Sequence, residues 1–570
     1  METIVYEIIR NSLYSIAREM KVAMMRTAAS PIMHLGADAS AAVFDAQMQL
    51  VAQGNDIPTM LGSAVISTRA SVEAIGRDKL RPGDVIISND VYLGGGNHQP
   101  DIQITRPVFH GGEIVAFVMT RGHWTDIGGQ IPGSYMLNAW DIFGEGIRIP
   151  PVLLFRDDKI VEDVKTLIVQ NTRDPEGRLL DIQAQYAGAF VGDQRIRALC
   201  DKYGAQDLAD AMMRSLDHSE TLMREAIRGI PDGVYEAEDY AEGVHSADWP
   251  ADPVKLKVRI TVAGDQIHFD YAGTGAQSLG GINCPLAVTC NSTWFTVKAL
   301  TDVTIPINQG CYRPITIDAP EGSIVNCRFP AAVVSGNTET SPRVIDLLLK
   351  ALSQAVPERV VAQSNCAACS GVFGGRDPDV ERVRRTGRPN VSMVEPHGGG
   401  MGARPDQDGV NGIRVYVGNA GSLPVEFIEQ TLPLTVEEWA LVPDSGGAGR
   451  FRGGLTARRT YRVEFDTASF TVAGERGDFA PEGYFGGLPG ATFACTITDT
   501  TGRTRRLPSK GATEILRRGD RVSINPAGGG GYGDPAQRDR NALVADLLDG
   551  YVSRQAAERL YGVSDLPEAC

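Results

Sequence analysis

A chain of 570 residues, 42% hydrophobic and 22% charged, has the composition of a soluble globular protein and is too long for one simple core, so two to four domains or subdomains are expected. A net charge of -15 and a pI near 5.1 argue against nucleic acid as a partner, which would need concentrated Lys and Arg, and no apolar run approaches the roughly 20 residues needed to cross a bilayer. The opening Met-Glu-Thr-Ile-Val-Tyr-Glu lacks the basic start and apolar core of a secretion signal, and nine scattered cysteines make no disulfide framework, so a cytoplasmic protein is expected.

In chain order, Val5, Ile9, Leu13, Ile16, Met20 and Met24 recur at three- and four-residue steps, the stripe of an amphipathic helix that stops near Ala29-Ser30-Pro31. Residues 84–121 read as short β-branched strands, two of them flanking His110-Gly111-Gly112-Glu113, a hairpin turn in which glycine supplies positive φ. Residues 178–200 and 205–229 read as two long helices. Val254, Leu256, Val258, Ile260 and Val262 alternate with polar residues, as in a half-buried strand. Helices follow around 287–301 and 340–354. Arg382, Arg384 and Arg385 read as a solvated loop. Beyond residue 400 short strands such as 457–464 and 469–474 alternate with glycine-rich turns, and the tail over 540–561 is rich in helix. The 64 glycines, spread over many turns, predict an α+β protein of several subdomains, glycine- and loop-rich, with mixed sheets and long helices. The expected divisions are 1–250, a metal-site α+β region with a helical segment; 251–400, a central α+β region; and 401–570, a β-rich region with the helical tail.

Two of the eight histidines lie in an unusual setting, Gly-Gly-Gly-Asn-His98-Gln-Pro-Asp101 and Arg121-Gly-His123-Trp-Thr-Asp126-Ile-Gly-Gly. Residues three apart on a strand face opposite ways, so His98 and Asp101 meet at one point only if Gln99-Pro100 turns, which the proline favours. Counting back from the Gly111-Gly112 turn pairs residues whose numbers sum to about 223 and sets His123 opposite Pro100, to within a residue or two. Two imidazoles and a carboxylate at one hairpin end suit Zn, Mn or Fe with open positions for water or substrate. The same spacing also fits loop histidines bonded to backbone, with Asp101 capping a turn. Cys366 and Cys369 form the one C-x-x-C, without a second pair or nearby histidine, and read as buried thiols. There is no phosphate-binding G-x-x-x-x-G-K-[ST] and no G-x-S-x-G elbow; Gly398-Gly399-Gly400-Met401-Gly402 is a weak candidate for anion contact because it does not open a helix.

The motifs Gly-Ala-Asp38-Ala-Ser, the two histidine motifs, Asn308-Gln-Gly-Cys-Tyr-Arg-Pro, Ser-Gly-Asn337-Thr-Glu-Thr-Ser, Gly-Gly-Gly-Met-Gly-Ala-Arg404-Pro and Gly-Gly-Gly-Gly-Tyr-Gly-Asp534-Pro resemble the hydantoinase B/oxoprolinase family, from near residue 30 to beyond 550. The resemblance implies a divalent metal (Zn, Mn or Fe) on Asp38, His98, Asp101 and His123, with Asp126 as an alternative ligand or a partner for a histidine N–H. It also implies a separate A-type ATPase subunit that binds ATP, so that no ATP-binding residues are expected here, in a hetero-oligomer. The activity it implies is opening of a cyclic amide (hydantoin, 5-oxoproline or lactam) that the partner has phosphorylated. ATP-dependent carboxylation of a ketone such as acetone or acetophenone is the alternative reaction, and a non-catalytic scaffold subunit the third reading. His123, Asp126 and Arg121 are the candidate catalytic residues; Asn337, Glu339 and Arg404 are candidates for binding the small-molecule substrate. One departure stands out: where many relatives carry H-I-P-x-H, this chain has Asp56 and Met60 in place of both histidines.

Overall fold

The computed structural model describes residues 2–416 and 418–564. Its N-terminal part is a seven-stranded antiparallel sheet, in the order 50–53, 39–45, 113–123, 101–110, 85–88, 152–156 and 159–160. Two-residue alternation decides what each face buries. Ala41, Val43, Ile102, Ile104 and Val118 pack beneath the helices Thr3–Thr27 and Pro175–Tyr203. On the other face Ala42, Phe44, Ile86, Phe117 and Met119 pack against a helix, Pro58–Ile75, that hydrophobic periodicity did not disclose. The first helix buries Ile9, Leu13, Ile16, Met20 and Met24 as expected, with Tyr6 and Ala17 beside them. Gly204, at φ +91°, breaks the next helical stretch into Pro175–Tyr203 and Ala205–Arg228. Among the described residues no helix is long and apolar enough to cross a membrane.

A second sheet, of four strands over Gly233–Ala241, Val254–Ala263, Gln266–Asp270 and Ile315–Asp318, shares its core with the helices Leu286–Leu300 and Ser341–Leu352. Two further sheets pack together around Phe373, Tyr461, Phe470, Leu516 and Ile524. The expected divisions do not follow the sheets. Gly233–Ala241 lies before residue 250 but pairs with Val254–Ala263, and the sheet containing Ser370–Arg376 and Asn390–Glu395 also takes in Thr467–Ala473 and Glu514–Arg517. The helix expected over 340–354 is Ser341–Leu352, preceded by a wide π-helical turn at Gly336–Thr340. The loop expected at Arg382–Arg385 is instead a short surface helix, Val380–Thr386, capped by Asp379, and Arg382 pairs with Asp377 at 2.6 Å.

The late glycines do more than turn the chain. Segments around residues 398–402, 446–454, 483–490 and 528–531 lie against one another at backbone distance. A Cβ on Gly400 would sit 1.9 Å from the Gly454 carbonyl oxygen, one on Gly453 1.9 Å from that of Gly529, and one on Gly529 2.0 Å from that of Met401. Their amides bond across the segments: Gly400 N–H to Ala527, Gly454 N–H to Met401, Gly529 N–H to Gly454, Gly531 N–H to Leu488. Only glycine lets main chains approach so closely, so this glycine-on-glycine layer is a packed core without side chains. It also removes Gly398–Gly402 as an anion site, because the N–H groups of Gly399, Gly400, Met401 and Gly402 are all already bonded within the protein. Cys366 and Cys369 are buried thiols, as read, and Cys366 Sγ donates to Asp346 at 2.7 Å.

Candidate metal centre

The hairpin Asp101–His110 and Glu113–His123 carries the site at its open end. Its register sums to 223 next to the turn, but a bulge at Val108/Phe109 raises the sum to 224, so His123 faces Asp101 rather than Pro100. Gln99-Pro100 turns as the proline suggested: Asp101 N–H donates to the His98 carbonyl at 3.2 Å, which brings His98 back over the strand end. The adjoining strand Ala39–Asp45 pairs Ala39 with Gly122, and the His123 N–H donates to the Asp38 carbonyl at 3.1 Å.

His98, Asp101 and His123 thus converge, all buried, with one ligand atom of each within 4.8 Å of the others. The His98 and His123 ring centroids are 5.2 Å apart. His98 Nδ1 lies 2.7 Å from the Val334 carbonyl; a carbonyl only accepts, so Nδ1 carries the proton and Nε2 presents its lone pair inward. Asn97 Nδ2 donates to Asp101 Oδ2 at 2.8 Å, and Arg121 Nη1 donates to Asn97 Oδ1 at 2.9 Å. His98 Nε2, Asp101 Oδ1 and His123 Nδ1 are all buried without a hydrogen-bond partner, as is Asn337 Oδ1 on the same cavity wall. His98 Nε2 is 3.4 Å from Asp101 Oδ1 but not aligned for a hydrogen bond. Two imidazoles and a carboxylate gathered at one buried point, each with an unpartnered polar atom, have the chemistry to hold a divalent cation. The cavity they line measures about 20 Å³, room for one ion or water.

Burial pushes the His123 imidazole down to about 3, helped by the neighbouring His98, so this ring is held neutral. Burial also opposes charge on His98 and Asp101, but each favours the other's ionised form, and the net effect raises His98 and lowers Asp101.

The remaining candidates are placed as follows. Asp38 lines the same cavity but stands outside the tight trio; burial raises its carboxyl to about 6, against the pull of Arg414, 3.9 Å away. Asp126 bonds no histidine. Its oxygens accept from the N–H groups of Gly128 and Gly133 and pair with Arg173 at 2.9 Å, so it fixes the loop after the hairpin. Arg121 is fully buried among Ser63, Ser67, Asn97, Gln103 and the Met60 carbonyl, and reaches the site only through Asn97. Burial lowers it to about 10. Asn337 lines the cavity with its Oδ1 unpartnered, whereas Glu339 is buried beside it, accepting from Thr338, its carboxyl raised to about 8 by burial. Arg404 is exposed and does not line the cavity; Arg414 and Tyr135, which the sequence did not single out, do. Met60 lines the cavity in place of an imidazole, and Asp56 turns away to pair with Lys21 at 2.9 Å.

The sequence profile described as hydantoinase B/oxoprolinase matches residues 2–535. The beta subunit of caprolactamase from Pseudomonas jessenii is 32% identical over 582 residues, covering 99% of this chain and 96% of that one. The crystal structure of the ATP-dependent caprolactamase from the same organism superposes with a TM-score of 0.90 at 30% identity, covering 100% of this chain and 97% of that one. A nucleotide-free acetone carboxylase structure superposes at 0.89 with 19% identity, covering 99% and 80%, a likeness of fold alone.

Proposed function

Since this chain belongs to the hydantoinase B/oxoprolinase family, we propose that it is the metal-binding B-type subunit of an ATP-dependent cyclic amidohydrolase, completed by an A-type ATPase subunit. The observation that carries this reading is the trio of orphaned ligand atoms on His98, Asp101 and His123, enclosed in a cavity of ion size. The caprolactamase likeness supports hydrolysis of a ring amide over carboxylation, since it extends to sequence where the carboxylase likeness does not.

Unstrained amides hydrolyse slowly. Phosphorylation of the amide oxygen on the partner makes the ring carbon electrophilic, and this chain receives the activated ring. A divalent ion held by His98, Asp101 and His123, with Asp38 beside them, would lower the pKa of a bound water from 15.7 toward about 7 and polarise the substrate oxygen. The protein's own groups prepare that chemistry. The Val334 carbonyl fixes the His98 tautomer, and Asn97, steadied by Arg121, holds Asp101 by its outer oxygen. Arg414, at the cavity wall, places a cation where negative charge develops on the substrate. Burial of the whole set excludes bulk water and strengthens each of these interactions.

The test is co-expression with the A-type subunit, metal analysis of the purified complex, and ATP-dependent ring opening of caprolactam, hydantoin and 5-oxoproline with and without bicarbonate. The expected result is metal-dependent ring opening that ignores bicarbonate, while the isolated chain shows no micromolar ATP binding by calorimetry. A bicarbonate requirement would transfer the chain to the carboxylase reaction, and an active complex free of metal would end the metal mechanism.

A further inference from the structure

The metal cavity, at about 20 Å³, admits an ion but no five- to seven-membered ring, so the body of the substrate needs a second space. One adjoins it. A cavity of about 180 Å³ shares Ile32 and Val394 with the metal cavity as common lining. Its apolar surface comes from Pro31, Ile32, Met393, Val394, Leu423 and Phe427. A cavity of about 150 Å³ lined by Leu, Ile and Phe accepts a benzene-sized ring, so this one has room for a ring amide.

Each of its arginines already faces a carboxylate. Arg173 pairs with Asp126 at 2.9 Å and donates to the Gly129 carbonyl at 2.6 Å. Arg178 pairs with Asp181 at 3.0 Å and donates to Ser30 Oγ, and Arg388 faces Asp174 at 3.5 Å. Each guanidinium therefore already faces a carboxylate of the protein, and His34, the other basic group of this lining, lies with Nδ1 3.0 Å from the Ser30 carbonyl. Burying a ligand anion there costs several kcal/mol by principle, whereas the unpartnered Thr125 Oγ1 suits a neutral carbonyl or amide.

We propose that this cavity is the ring-binding chamber of the enzyme and that it selects uncharged, largely apolar ring amides over rings bearing a carboxylate. The inference rests on the amidohydrolase reading. The ring lies among Met393, Leu423 and Phe427, with its amide end turned toward the wall at Ile32 and Val394 that the chamber shares with the metal cavity.

Two measurements test it separately from that reading. In the co-expressed complex, kcat/KM for ATP-dependent opening is compared for 2-pyrrolidinone, caprolactam and 5-oxoproline, the last being 2-pyrrolidinone with an added carboxylate. The expected preference for 2-pyrrolidinone over 5-oxoproline is at least about tenfold, since 1.4 kcal/mol already gives that factor. Ser392→Phe, at a half-buried position of the chamber wall, is expected to raise KM for caprolactam at least about tenfold with metal content unchanged, and Phe427→Ala to shift preference toward bulkier rings. Binding of caprolactam to the same complexes is followed in parallel by saturation-transfer NMR. Binding lost in Ser392→Phe, without turnover in either protein, would refute the hydrolase reading and uphold the chamber. Equal binding by both proteins, no binding by either, or a wild-type preference for 5-oxoproline would overturn the chamber.

Discussion

His98 Nε2, Asp101 Oδ1 and His123 Nδ1 are buried without a protein partner, and one ion shared among these residues would give their unpartnered atoms a partner. His123→Ala removes one of the three at a strand end, where losing a side chain leaves the core intact. Loss of an outer-shell partner alone typically costs 10–100-fold in metal affinity, so loss of a ligand is expected to cost at least about 100-fold. Metal content by mass spectrometry should collapse together with product formation, while complex size and ATP consumption persist. Retention of both metal and activity would remove His123 from the mechanism. Asp126→Asn is the contrast: it weakens the bonds to Gly128, Gly133 and Arg173 and should lower stability by about 1–3 kcal/mol while the metal stays. The trio was legible because a proline turn and a glycine hairpin fix geometry locally. Asp38 entered through family resemblance alone. Arg414 and Tyr135 come from irregular loops, where no spacing rule tells a residue aimed at the site from one aimed at solvent, and Arg121 reads alike whether it meets substrate or steadies Asn97.

At the scale of elements, what could be read was whatever has one wet and one dry side. The first helix and the strand Val254–Ala263 qualify. Pro58–Ile75 does not: packed between the large sheet and the helix Leu286–Leu300, it buries Ser63, Ser67, Thr68 and Ser71 together with Leu61, Ala64 and Val72, so no polar face marks its period. The glycines show the same limit, since sequence alone does not separate a glycine kept for its φ from one kept for its missing Cβ. Gly111 is the first kind, at φ +60° with nothing within 4 Å of an added Cβ. Gly400 is the second, with backbone atoms at 1.9 and 2.3 Å. Gly111→Ala is accordingly expected to cost about 1 kcal/mol in denaturant unfolding, the price of a left-handed alanine. Gly400→Ala should cost more than about 4 kcal/mol or yield insoluble protein, because main chain cannot step aside. Equal costs for the two would contradict the glycine-on-glycine core.

Over the whole molecule, composition gave the class and the net negative charge, while the bounds at 250 and 400 are crossed by sheets that recruit strands far apart in sequence. Thr467–Ala473 and Glu514–Arg517 complete a sheet begun at Ser370, and no local change of texture reports such a pairing. The same long-range closure buries carboxyls. Glu145, fully enclosed, receives the N–H groups of Val333 and Val334 on one oxygen and leaves the other unpartnered. Burial raises it from 4.5 to about 8, although those two amides pull the other way. A raised carboxyl means that the folded chain holds a proton the unfolded chain has already released. Its contribution is complete below about pH 4.5 and is lost as pH climbs through about 8. Growing negative charge above the pI of 5.1 acts in the same direction, so a falling Tm in the wild type alone would not identify the cause. Glu145→Gln separates the two, since its amide oxygen accepts from Val333 and Val334 at every pH and its charge never changes. Between pH 6 and pH 9 the wild type is expected to lose about 2 °C more in Tm than the variant, the equivalent of roughly 2 kcal/mol for a chain of 570 residues. Parallel Tm curves for the two proteins would mean that Glu145 is ionised throughout, its burial relieved by water reaching the unpartnered oxygen.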